Sequence, residues 1–220
     1  MSQEFSAQNM RDGLQNYPYK KHPISPANQA SVAIIFRETA SHKLEVLMIQ
    51  RSVNEQDPWS GHMAFPGGKK STRDQNSLTT AIRETTEETG IQLSKHQCLG
   101  RLSDVLTRTH SRKKLMKIKP WVFFIAANDP MKTNIRLNHE AEQYYWLPCS
   151  LFTQHNRTHF HWPLIAIGQF KYSIRLPSYV FKKNKIWGLS LMMIDELCHI
   201  IQHQGKRKFS FRKKLRLYFF

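Results

Sequence analysis

At 220 residues the chain fits one domain with room for a sizeable core, so a two-domain organisation is not needed. Apolar residues make up 40% of the sequence and charged ones 22%, the usage of a folded globular protein, which excludes global disorder. The formal charge of +17, from 33 Lys and Arg against 16 Asp and Glu, attracts polyanions. It does not separate a phosphorylated small molecule from nucleic acid or an anionic membrane surface.

Residues 1–28 are polar and punctuated by Pro18, Pro23 and Pro26, which reads as a leader arm or a short capping helix. The sequence does not begin with a basic start and apolar core, and no stretch approaches 18 uninterrupted apolar residues. The expectation is a soluble, cytoplasmic protein without a transmembrane segment. Two apolar runs, Ser31 to Arg37 and Leu44 to Gln50, are divided by a polar link from Glu38 to Lys43 and predict a strand hairpin. A polar loop from Ser52 to Ser60 then leads to Gly61-His62-Met63-Ala64-Phe65-Pro66-Gly67-Gly68, where the paired glycines predict a tightly shaped loop.

Ser77 to Thr89 has helical spacing and stops at Gly90, which suits a left-handed helix end. Further strands are expected at Cys98 to Val105, Lys117 to Ala126 and Glu142 to Leu147, and Trp187 to Gln202 has the length and period of a closing helix. Strands mixed with two helices give an α/β layered domain. The chain thus divides into an arm at 1–28, a domain at 29–204 and a basic, apolar tail at 205–220. That tail reads as a final strand, a membrane or nucleic-acid patch, or a solvated end. Cys98, Cys149 and Cys198 are odd in number and form no CxxC pair, which indicates neither a disulfide framework nor a thiolate zinc site. His159-Phe160-His161 invites a metal reading, but alternate residues of a strand often face solvent and no third ligand is evident.

The chemistry concentrates in Arg83-Glu84-Thr85-Thr86-Glu87-Glu88-Thr89-Gly90. At about 100° per residue, Glu84, Glu87 and Glu88 stand at i, i+3 and i+4 and share one helix face, while Leu78, Ala81, Ile82, Thr85 and Thr89 fall on another. Neighbouring like charges destabilise a helix, and a bound divalent cation reverses that cost. Hard oxygen ligands suit Mg²⁺ or Mn²⁺, ions that stabilise a polyphosphate and acidify a bound water. The implied reaction is hydrolytic phosphoryl transfer. Glu84 and Glu88 are first choices as ligands, with Glu87 completing the set or orienting water. Arg83, four residues before Glu87, can fix that carboxylate by an ion pair.

The string Phe65-Pro66-Gly67-Gly68-Lys69, Asp74, Ala81-Ile82-Arg83-Glu84, Glu87-Glu88 and Gly90-Ile91 resembles the Nudix box. That resemblance implies a loop-helix-loop on an α/β/α sandwich with a mixed sheet, with glutamates and the Gly68 carbonyl holding divalent cations. Asp74 stands where the first Glu is usual, one extra residue precedes Arg83, and Thr85 replaces an apolar residue. Asp74 and the extra residue, with Gln50-Arg51-Ser52 and Ile186-Trp187-Gly188-Leu189-Ser190, are similar to the coenzyme A pyrophosphatase-like subgroup, while Asn138-His139-Glu140-Ala141 followed by Trp146-Leu147-Pro148 resembles the family's loop and sheet-edge strand. Asp57-Pro58-Trp59-Ser60-Gly61-His62 stands where that subgroup has an Arg-rich stretch.

Beyond the box, Glu140 is a candidate general base. Arg51 and Lys69 are candidates for phosphate contact and Trp59 for stacking on a base. The expectation is a hydrolase of a nucleoside-diphosphate-linked small molecule, with coenzyme A or a derivative the leading substrate. The rivals are a pyrophosphohydrolase of RNA 5′ ends, drawn from the basic stretches, and a nucleotide-binding module without turnover.

Overall fold

The computed structural model describes residues 5–23, 28–53, 60–108, 114–127, 129, 134–167, 170–207 and 209. Strand alternation sorts these residues into two cores, because successive side chains of a strand point to opposite faces. In β1 (Asn28–Glu38), Ala30, Ile34 and Phe36 join one apolar cluster, whereas Ala33 and Ile35 join the other. Strand β2 (Leu44–Arg51) pairs with β1 as the expected antiparallel hairpin, with Phe36 opposite Val46. After β3 (Met63–Ala64), β4 (Gly67–Lys69) lies along the start of β1, opposing Gly68 to Ser31.

Helix α2 (Ser77–Thr89) begins where the Asn76 side chain accepts from the backbone N–H of Leu78 and Thr79, while Thr79 Oγ1 accepts in return from the Asn76 N–H. Such a capping box contributes about 1 kcal/mol. Gly90 ends the helix at φ +73°, the left-handed conformation that its position in the sequence predicts. The Cys98 to Val105 stretch is not one strand. It splits into β5 (Cys98–Arg101) and β6 (Val105–Arg108), because Ser103 and Asp104 between them bond to Lys20 and to Glu196 instead of to a neighbouring strand.

Strand β7 (Leu115–Ile125) runs parallel to β1, and the other pairings described for the sheet are antiparallel. The sheet is therefore mixed, in the order β3-β2-β1-β7-β5, with β4 on β1, β6 on β7 and β8 (Ala141–Pro148) on β2. Strands β9 (Thr158–Ile167), β10 (Phe170–Phe181) and β11 (Asn184–Ile186) form a second sheet of three. In the sequence, much of β10 and β11 shows only as a basic run from Lys171 to Lys185.

Helix α3 (Gly188–Gln202) starts one residue after the expected position, with Trp187 as its N-cap. Helices α1 (Ala7–Gln15) and α3 cover one face of the large sheet and α2 the other, which gives an α/β/α sandwich. The segment before β1 thus carries a helix: Met10 is fully buried, and Gly13 sits so close to α3 that a Cβ there would lie 2.8 Å from Ile200. Tyr17 then donates its hydroxyl to Glu196 Oε1 at 2.7 Å. Among the described residues no helix is long and apolar enough to cross a membrane.

Candidate active site

The glycine turn and α2 are joined through Arg83. Its Nε and Nη2 donate to the two oxygens of Asp74 at 2.9 Å each, and Nη1 donates to Glu87 Oε2 at 2.8 Å. Nη2 also lies 2.8 Å from Glu84 Oε1 and 3.0 Å from the Lys69 carbonyl oxygen. A planar guanidinium suits this work, since its fork spans a carboxylate while its remaining donors reach other partners. Asp74 is almost fully buried and accepts further bonds from Ser71 N–H and Thr80 Oγ1. The Arg83 hydrogen bond, reinforced by those from Ser71 and Thr80, holds its carboxyl down at about 2 despite the opposing effect of burial. The Asp74 departure from the usual box is thus a clamp for Arg83.

The three glutamates that share a helix face in projection differ in surroundings. Glu87 is exposed and leans on Arg83. Glu84 is half-buried against the glycine turn, so close that a Cβ on Gly68 would fall 2.4 Å from its Oε2. Glu88 is 2% exposed and falls in with Thr85 and Thr89 on the buried side of α2, where its Oε2 accepts the Gly67 N–H at 2.8 Å. Burial raises the Glu88 carboxyl to about 7. The Gly67 bond and Arg51 oppose that rise, while the charges of Glu140 and Glu84 add to it. Burial likewise raises Glu84, against the pull of Arg83 and with the charges of Glu87 and Glu140.

Glu140, just before β8, reaches this cluster because its loop is latched to the end of α2. Arg136 N–H donates to the Thr89 carbonyl at 2.9 Å and Asn138 N–H to that of Glu88 at 3.2 Å. Arg51 is held at the end of β2, where its N–H donates to the His62 carbonyl and the next N–H, of Ser52, donates to that of Glu140. Arg51, Gly68, Lys69, Glu84 and Glu140 thereby line one cleft of 820 Å³, a volume suited to a nucleotide-sized ligand. Glu88, bonded to Gly67, and Arg83, bonded to Lys69 and Glu84, hold that lining from behind. Trp59, the expected stacking residue, lies outside the described residues, as does the Asp57-Pro58 stretch before it and most of the basic tail. Two residues with no role assigned from sequence also line the cleft: His62, directly before β3, and Trp187 at the start of α3.

The donor set bears on a divalent cation. Among the described residues no three His, Cys, Asp or Glu side chains are gathered to chelate one ion unaided. Glu84 and Glu88 nevertheless approach the Gly67–Gly68 backbone together, and the cations that face them, Arg83 and Arg51, leave both carboxyls above their ordinary values. Two carboxylates with main-chain oxygen and water form the hard, partly hydrated donor set that Mg²⁺ accepts. The residues fit such an ion in kind.

Residues 27–166 match the model of the NUDIX domain, which takes in the glycine turn, α2 and Glu140. An uncharacterized protein of Schizosaccharomyces pombe is 35% identical over 155 residues, covering 61% of this chain and 46% of the relative. The mitochondrial coenzyme A diphosphatase NUDT8 of Mus musculus is 28% identical over 135 residues, 61% of this chain and 60% of that protein. The chain thus spans about half the length of the first relative and three fifths of the second. Among solved structures, a MutT/nudix family protein from Enterococcus faecalis superimposes with a TM-score of 0.54 at 17% identity, over 90% of this chain and 75% of the other. That likeness is one of fold, and the match over 27–166 carries the assignment: the chain belongs to the Nudix family.

Proposed function

We propose that the protein is a metal-dependent pyrophosphohydrolase that cleaves the diphosphate linkage of a nucleoside-diphosphate-linked small molecule, with coenzyme A or a derivative as the leading substrate. One observation carries the reading: a glutamate 2% exposed, Glu88, bonded to the Gly67 N–H, beside a second, Glu84, pressed on Gly68 in the wall of a cleft. The named activity of the mouse relative supports coenzyme A among nucleotide substrates.

In this reading Glu84 and Glu88, aided by Glu87 and the Gly68 carbonyl, would hold Mg²⁺ or Mn²⁺, which would offset charge on the phosphate oxygens and make water a better nucleophile at neutral pH. Arg83 keeps Glu84 and Glu87 in register by its bonds to both and to Asp74. Arg51 and Lys69 bind the outer phosphate oxygens, and Glu140 accepts the proton of the attacking water. Oxygen attacks one phosphorus, the bridging P–O bond breaks, and two phosphorylated products leave.

The test is Glu88→Gln, which keeps an acceptor for the Gly67 N–H but removes the charge. Turnover of coenzyme A with Mg²⁺ or Mn²⁺ is expected to fall by about 10³-fold or more, with unfolding unchanged. Undiminished turnover would sink the proposal. The +17 charge favours one rival substrate, a triphosphorylated or capped RNA 5′ end. Steep loss of binding with salt, and preference for oligonucleotides over dinucleotides, would select it.

A further inference from the structure

At the α3 end of the cleft the wall is aromatic. The Trp187 ring lies 4.6 Å from Trp162 at 37°, 5.0 Å from His62 at 67° and 5.3 Å from Phe160 at 79°. Phe160 and Trp162 alternate along β9 with the exposed His159 and His161, so the inward face of that strand consists of rings here. Of the four rings, His62 and Trp187 line the cleft, and the other two back them. The frame is fixed from both sides: Ser190 Oγ in the first turn of α3 donates to the Met63 carbonyl at 3.1 Å, and the preceding carbonyl, of His62, accepts the Arg51 N–H. Gly188, at φ +61°, permits the abrupt turn from Trp187 into the helix.

We infer that Trp187, with His62 beside it, is the stacking surface for the heteroaromatic base of the substrate's nucleotide half. The inference rests on the diphosphate reading of the site and adds which end of the cleft takes the base. Rings already packed against one another lose little freedom on accepting one more flat partner. Every nucleobase offers a π-face to such a surface. The same cleft places Arg51, Lys69 and the glycine turn alongside, so a flat ring bearing phosphates matches the wall, whereas an organic cation that aromatic rings could also attract would meet Arg51 and Lys69. An alkyl chain would forgo the ring faces.

The experiment has a binding arm and a kinetic arm. Tryptophan emission of the wild-type protein is titrated with AMP and, separately, with ribose 5-phosphate, which carries the same phosphate and sugar without a base. AMP is expected to quench and to bind about tenfold more tightly than ribose 5-phosphate. Trp187→Leu is expected to abolish that difference, and Trp187→Phe, which keeps a ring, to preserve most of it. In hydrolysis, Trp187→Leu should raise KM for an adenosine-containing diphosphate by about tenfold while leaving kcat within a factor of two. Equal binding of AMP and ribose 5-phosphate to the wild-type protein would overturn the inference, as would a Trp187→Leu protein that still prefers AMP. If no diphosphate is hydrolysed, the proposed reaction fails, but the AMP and ribose 5-phosphate titrations still decide where the base sits.

Discussion

The two ends of the cleft are built by opposite strategies. At the carboxylate end the parts come from neighbouring stretches: Gly67, Gly68, Asp74, Arg83, Glu84 and Glu88 span 22 positions, and one turn and one helix bring them together. At the aromatic end, His62, Phe160, Trp162 and Trp187 come from three separate segments and meet only after two sheets and α3 have packed. The first end should therefore be sensitive to single-atom changes in the backbone turn, and the second to packing across elements.

The largest expected effect is a contrast between adjacent glycines. A Cβ on Gly67 would meet the Ser31 carbonyl at 2.3 Å and Val32 Cα at 2.5 Å, and its φ of +154° disfavours a side chain. Backbone cannot move aside cheaply, so Gly67→Ala should destabilise the fold by about 3 kcal/mol or more in denaturant titrations. A Cβ on Gly68 would meet the tip of Glu84 instead, which can swing away. Gly68→Ala should keep most of the stability yet lose about 10²-fold in turnover, because the displaced carboxylate belongs to the proposed ion site. Equal effects on stability from the two substitutions would erase the distinction between the two glycines.

A smaller effect tests the Asp74–Arg83 clamp. The folded state lowers the Asp74 carboxyl from 3.8 to about 2, so its stabilisation is present above the unfolded value and is lost as pH falls through the folded one. Between about pH 4 and pH 2 the protein should lose roughly 2 kcal/mol from this group. Asp74→Asn should flatten that portion of the acid limb in unfolding measured against pH, and an unchanged limb would assign the loss elsewhere. The smallest effect belongs to the far end: Ser190→Ala removes one bond to the Met63 carbonyl and should cost about 1 kcal/mol, a drop of roughly 2–4 °C in Tm.

This contrast also explains what the sequence disclosed. The spacing Arg83, Glu84, Glu87, Glu88 and the stop at Gly90 are local, so helix, cap and carboxylate face could be read directly. That Glu88 is buried and Glu87 is not could not be read, because it depends on how α2 sits against the glycine strand. The β1–β2 hairpin carries two continuous apolar runs, buried on both faces, and is legible too. Strands β10 and β11 are hidden by their lysines, whereas α1 answers to the short capping helix, one of the two readings of its segment, its buried stripe of Met10, Gly13 and Leu14 being too thin to decide between them. In β9 the alternate histidines carry the visible pattern, while Phe160 and Trp162, between and after them, supply the contacts to Trp187. No local signal marks which face of a strand will meet a helix start twenty-five residues later.

Glu196 gives the first helix a reach beyond its own neighbourhood. This carboxylate is fully buried in the middle of α3, takes the Tyr17 hydroxyl and the Ser103 N–H on one oxygen, and has no hydrogen-bond partner for the other among the described residues. Burial raises its carboxyl, against the pull of the bonds from Ser103 and Tyr17. Anything that peels α1 and Tyr17 away, whether a protease or a competing surface, would leave that buried carboxyl short of a partner and work α3 loose. The loosening would travel roughly 13 Å up the helix to the tryptophan that opens it, so occupancy of the cleft and attachment of α1 should rise and fall together.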